Sequence, residues 1–174
     1  MSHHTARALA VCAALAAAVP AAAQTVSLTV GAGEEDTTLY RLGYGQDYAH
    51  WATDGAWQWT GAWLAELGYW ESDEPGNKSL WEAALTPVFR LEATQPGDVS
   101  PYLELGLGGH VLSDTRIGER HLATAWQFGS HLGLGLALGP SARVSYRFQH
   151  LSNGSIKQPN DGINFHQLAL DWRF

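Results

Sequence analysis

Seventeen consecutive residues, Leu122 to Leu138, alternate between two kinds of side chain, and this limits the folds open to the chain. One set reads Leu122, Thr124, Trp126, Phe128, Ser130, Leu132, Leu134, Leu136, Leu138; the other reads Ala123, Ala125, Gln127, Gly129, His131, Gly133, Gly135, Ala137. A period of two places successive side chains on opposite faces of a β-strand. The run is much longer than the roughly 5–6 residues usual in a globular sheet. Similar alternation recurs along the chain. Trp57, Trp59, Trp63, Leu67 and Tyr69 alternate with Gln58, Thr60 and Glu66, and Trp81, Leu85, Phe89 and Leu91 with Glu82, Thr86, Arg90 and Glu92. Leu103, Leu105 and Leu107, then Val144, Tyr146 and Phe148, then Leu168, Leu170, Trp172 and Phe174 repeat the pattern. Shorter versions lie near 25–33 and 37–46. Turn-rich stretches at 73–77, 95–101, 113–119, 139–140 and 153–162 separate eight candidate strands.

The content of the two faces decides the class. The apolar faces carry large aromatics and Leu, while the opposite faces mix small residues with carboxylates and Arg. Eight strands enclose a lumen just wide enough for side chains, and the small, charge-pairing set fits that lumen better. An apolar outer band with aromatic girdles around a polar interior is the pattern of an outer-membrane barrel. Charged residues make up 16% of the chain, below the roughly 25% of soluble domains, while Trp reaches 8 and Gly 19. The chain ends on an aromatic, Phe174, as such barrels commonly do. The expected fold is all-β, an eight-stranded antiparallel transmembrane β-barrel; a secreted lipocalin-like barrel is the alternative.

Residues 1–23 read as a targeting segment. Arg7 precedes an apolar run from Ala8 to Val19, and Ala21-Ala22-Ala23 offers a small-residue exit before Gln24, the three parts of a secretory signal peptide. The barrel is then expected over 24–174. The single Cys, Cys12, lies inside this leader, which excludes a disulfide framework and a Cys-based zinc site. A net charge of −7 argues against nucleic acid as a partner. The chain has no HExxH, Walker loop or GxSxG elbow.

Chemistry concentrates in 146–164. His150 and Ser152 are two apart on the seventh strand and share the face of Val144, Tyr146 and Phe148. Counting back from Phe174 by twos puts Asn164 and His166 on the same outer surface of the eighth strand. Hydroxyl, imidazole and amide can therefore converge outside the barrel, at the membrane–water boundary. A Ser activated by a His, with a third polar group orienting the ring, is an acyl-transfer constellation. His110 and His131 fall on lumen faces and read as packed polar fillers. Glu66, Glu82, Arg90, Glu104, Arg143, Arg147 and Asp171 read as a lumen charge network, because buried charges must pair.

The sequence His150-Leu151-Ser152-Asn153, followed by Lys157-Gln158-Pro159-Asn160-Asp161-Gly162, closely resembles the C-terminal motif of the lipid A 3-O-deacylases of PagL type, small eight-stranded outer-membrane esterases. The resemblance is specific over about 146–164. It implies His150 as general base, Ser152 as nucleophile and Asn160 as an oxyanion stabiliser, to which Gly154 could add a backbone N–H. The family's third triad member is a Glu, and its position falls on Asn164. An amide can accept a hydrogen bond from the imidazole and fix its tautomer, but it cannot offset an imidazolium charge. In Ser-His-Asp enzymes the equivalent loss costs about 10⁴ in turnover, so Asp161 or another carboxylate would have to substitute for full activity. With Asn164 as orienter, Asn164→Glu is expected to raise turnover.

The resemblance implies hydrolysis of the ester-linked acyl chain at the 3-position of lipid A, without metal or cofactor. The partners are lipopolysaccharide and outer-membrane lipids; a homodimer is left open. With both chain ends on the periplasmic side, the seventh strand delivers His150 and Ser152 to the outer leaflet, where lipid A resides. The alternatives are a non-catalytic small barrel, structural or adhesive, and an outer-membrane phospholipid esterase.

Overall fold

The computed structural model describes residues 24–52 and 55–174. The leader assigned to 1–23 lies outside the described residues. The strands are β1 (Gln24–Gly33), β2 (Thr37–Ala52), β3 (Trp57–Ser72), β4 (Ser79–Ala93), β5 (Val99–Leu112), β6 (Arg116–Ile117), β7 (Arg120–His121), β8 (Trp126–Leu138), β9 (Ala142–Ser152) and β10 (Ile163–Arg173). Eight of them close a barrel in the order β1-β10-β9-β8-β5-β4-β3-β2, with every neighbouring pair antiparallel. Closure joins the first barrel strand to the last, from Thr25 opposite Arg173 to Gly33 opposite Phe165. No barrel strand is left with an unpaired edge, as a membrane demands.

The expected alternation is present on both faces. Leu28, Leu42, Trp63, Trp81, Leu105, Leu132, Leu134, Leu168 and Trp172 are exposed on the outside. Inside, Glu82 accepts a bidentate pair from Arg41 (Nε 2.8 Å, Nη2 3.0 Å), the Trp70 indole N–H at 2.8 Å, and His110. Below it, Glu104 binds Arg90 at 2.9 Å and Arg147, and Asp171 lies within 3.7 Å of Arg90 and 3.5 Å of Arg147. Arg41, which the sequence reading did not single out, is thus a central member of the lumen network. His110 and His131 are buried in it, and each ring occupies the space where an inward glycine (Gly129 and Gly106) has no Cβ.

The lumen is not polar throughout. At the end away from the termini, Leu39, Trp70, Leu80, Leu112, Leu151 and Phe165 fill it with an apolar plug, Trp70 meeting Phe165 edge-on at 4.8 Å. The small hairpin β6–β7 roofs this plug with Ile117. Leu122 joins the plug instead of extending the outer face of β8. The alternating run ends at Trp126 because Ala123 adopts a left-handed φ of 62°, which breaks the strand. The plug gives that end of the barrel a rigid floor, and the loop after β9 is built on it.

Candidate active site

His150 and Asn164 face each other across the β9–β10 ladder. Their side chains meet on the outer surface, with His150 Nδ1 2.8 Å from Asn164 Oδ1. Ser152, two residues beyond His150, is the last residue of β9 and pairs with Phe128 of β8. Between them lies Gly162 at φ 59°. A Cβ there would stand 3.0 Å from His150 Cε1 and 3.5 Å from Ser152 Cβ, so imidazole and hydroxymethyl group lean over the same vacant point. His150 is exposed and Ser152 half-buried. His166, the next outward residue on β10, turns away from this group. Its Nδ1 is hydrogen-bonded to the Tyr146 hydroxyl and its ring packs on Phe148.

The loop 153–162 is anchored by Asn153, whose importance the sequence reading did not register. Its side chain is fully buried, and Nδ2 donates to Leu122 C=O at 3.1 Å and to Lys157 C=O at 2.8 Å. Its backbone N–H, the one following the candidate nucleophile, donates to Asn160 Oδ1 at 3.0 Å. Asn160 is therefore held beside the end of β9 with its amide oxygen engaged. Gly154 and Ser155 continue from Asn153 with left-handed φ of 63° and 64°.

Asp161 lies in the loop before β10. Its Oδ2 accepts the backbone N–H of His121 at 3.0 Å, which ties it to β7. The carboxylate that does reach Asn164 is Glu34, in the turn between β1 and β2, with Oε1 3.2 Å from Asn164 Nδ2 and Oε2 3.2 Å from Asn164 N. The same Oε2 lies 3.5 Å from Arg120 Nη2, which is also 3.2 Å from Glu35. Arg120 Nη1 also donates to the carbonyls of Asp161 and Gly162, so one guanidinium links the β1–β2 turn to the loop before β10.

Next to the site, an apolar groove of about 570 Å³ runs down the outer wall between Tyr40 and Tyr146, floored by Gly31 and Ala32 and bordered by His166 and Leu168. Among the described residues no group of three or more His, Cys, Asp or Glu side chains is arranged to hold a metal.

Residues 38–173 match the family described as lipid A 3-O-deacylase (PagL). The chain belongs to this family. It is 37% identical to the lipid A deacylase PagL of Pseudomonas aeruginosa over 164 residues, 92% of this chain and 93% of that protein. Identity to the lipid A deacylase PagL of Bordetella bronchiseptica is 39% over 114 residues, 63% of this chain and 61% of that protein. A crystal structure of the outer-membrane enzyme PagL superposes with a TM-score of 0.78 at 33% identity, covering 84% of this chain and 97% of that one. The family membership and the closed barrel make this chain an outer-membrane β-barrel and an ester hydrolase, a lipid A 3-O-deacylase.

Proposed function

We propose that this lipid A 3-O-deacylase works as a serine esterase on the outer wall of its barrel, with Ser152 as nucleophile, His150 as general base and Asn164 as orienter of the ring. The observation that carries this reading is the 2.8 Å contact of His150 Nδ1 with Asn164 Oδ1, beside Ser152 and over Gly162. An amide oxygen accepts only, so Nδ1 holds the ring proton and Nε2 is free to take one. His150 Nε2 removes the Ser152 hydroxyl proton as Oγ attacks the carbonyl carbon of the 3-linked ester. The tetrahedral intermediate collapses, the bond from carbonyl carbon to sugar oxygen breaks, and His150 returns the proton to that oxygen. Water then attacks the acyl-Ser152 ester, giving up a proton to His150; the bond from carbonyl carbon to Ser152 Oγ breaks, His150 returns the proton to Oγ, and the fatty acid leaves. The oxyanion is received by the Asn160 NH₂ with a backbone N–H at Gly154. The groove beside His166 suits one acyl chain of a lipid whose head group lies at the barrel end.

A leader over 1–23 delivers the chain to the outer membrane, and the site faces the outer leaflet, where lipid A lies. The substrate is lipid A within lipopolysaccharide, with no cofactor. Ser152→Ala is the test. Its hydroxyl sits at a strand end, so the variant keeps the heat-modifiable gel shift of a folded barrel and releases no 3-hydroxyacyl chain from lipid A. Full activity in Ser152→Ala would refute the nucleophile. Mass spectrometry of total lipids from expressing cells separates a lipid A product from loss of phospholipid acyl chains, and an inert barrel leaves both unchanged.

A further inference from the structure

Three hydrogen bonds join Glu34 to Asn164. The Glu34 N–H donates to Asn164 C=O at 3.3 Å, and the Glu34 carboxylate accepts Asn164 N–H and Nδ2, each at 3.2 Å. An ionised carboxylate can only accept. It therefore takes the NH₂ side of the amide and turns Oδ1 toward His150. Oδ1 in turn can only accept, which requires the proton on His150 Nδ1 and leaves Nε2 with its lone pair for Ser152. With the amide turned over, NH₂ would face Nδ1 and hold the ring proton on Nε2, where it cannot receive the Ser152 proton.

We infer that Glu34 is a positioning residue for ester hydrolysis, acting through Asn164 to select the His150 tautomer and to set a negative charge one amide away from the imidazolium. The inference rests on the Ser152–His150–Asn164 reading above. In this chain the carboxylate that the family resemblance leads one to expect at position 164 is displaced, not lost. It comes from the β1–β2 turn, brought alongside β10 by barrel closure. Arg120 Nη2 lies 3.5 Å from its Oε2, and the Glu34 side chain, 44% exposed, keeps access to water. Asn164→Glu alone would place a second carboxylate against Glu34, so the gain expected from sequence does not apply while Glu34 is present.

The test measures kcat and KM for 3-hydroxyacyl release from lipid A in detergent, per barrel showing the folded gel shift. Glu34→Gln is expected to lower kcat by about tenfold or more with KM within about twofold, the signature of an interaction made in the transition state. Glu35→Gln loses the same arginine contact without touching Asn164 and stays within about twofold of wild type. The double variant Glu34→Gln/Asn164→Glu moves the carboxylate onto His150 and regains kcat to within about threefold. A purely structural role for Glu34 gives no such rescue. The inference is overturned by wild-type kcat in Glu34→Gln, by an equal loss in Glu35→Gln, or by a double variant no faster than Glu34→Gln. Activity in Ser152→Ala would instead overturn the reading beneath it.

Discussion

Gly162 is the residue over which His150 and Ser152 converge, and its requirement is double. Its φ of 59° is left-handed, a conformation that costs an ordinary residue about 1–2 kcal/mol. Its missing Cβ leaves room for His150 Cε1 at 3.0 Å and lies the same distance from Leu151 C=O. Gly162→Ala should therefore push the imidazole off the line to Ser152 and lower kcat by about tenfold or more, since small displacements of reacting groups are costly. Gly139 provides the comparison. Its φ is 65°, nothing lies within 4 Å of its Cβ position, and it sits in the β8–β9 turn at the far end of the barrel. Gly139→Ala is expected to carry a similar backbone penalty in urea unfolding while turnover per folded barrel stays at wild type. Equal turnover in the two variants would mean that the space beside His150 plays no part in catalysis.

Among the elements, the loop between β9 and β10 depends on one buried side chain. Asn153→Ala would leave the carbonyls of Leu122 and Lys157 without their donor, at about 1–3 kcal/mol. The barrel should stay folded, because its ladders are untouched, while the loop opens more often. Trypsin cleavage after the exposed Lys157, followed by mass spectrometry, should accelerate about tenfold, and deacylation should fall with it. Unchanged cleavage at Lys157 would show that the loop is held by other contacts. The same loop marks the limit of what alternation conveys. Parity placed His150, Ser152 and Asn164 on one outer surface correctly, because a ladder fixes faces. It extended β8 too far, to Leu122, because Leu122 is apolar and in phase although it serves the plug and not the outer wall. It also missed the function of Asn153 and Glu34. Both act from turns, where no period exists. Glu34 reaches Asn164 only through closure of β1 on β10, a contact between residues 130 apart in the chain.

On the scale of the whole molecule, the barrel is organised inside out relative to a soluble fold. Arg41, Glu82, Glu104 and Arg147 are buried in the lumen, while Leu and Trp side chains stand exposed around the outside. The polar interior is stable where buried charges meet partners, as Arg41, Arg90 and Arg147 do at Glu82 and Glu104. The exposed outside is stable only against lipid, and this gives a prediction with a depth dependence. Leu132 lies mid-strand on β8, flanked by Leu105 and Phe148, and Leu138 ends the same strand on the same face. Both are exposed, at 56% and 42%, so in water Arg would fit either position at almost no cost. In a bilayer, Arg near the midplane costs about 2–4 kcal/mol, falling to about 0–1 near the interface. Leu132→Arg should therefore lose about 2–4 kcal/mol in urea unfolding from phospholipid vesicles, and Leu138→Arg no more than about 1. The lumen contacts are identical in the two variants, so the difference between them reports lipid alone. In detergent micelles, whose apolar layer deforms around a single guanidinium, the gap should narrow. Equal losses in vesicles would mean that the middle and the end of β8 sit at the same depth, and that the barrel axis does not run across the membrane.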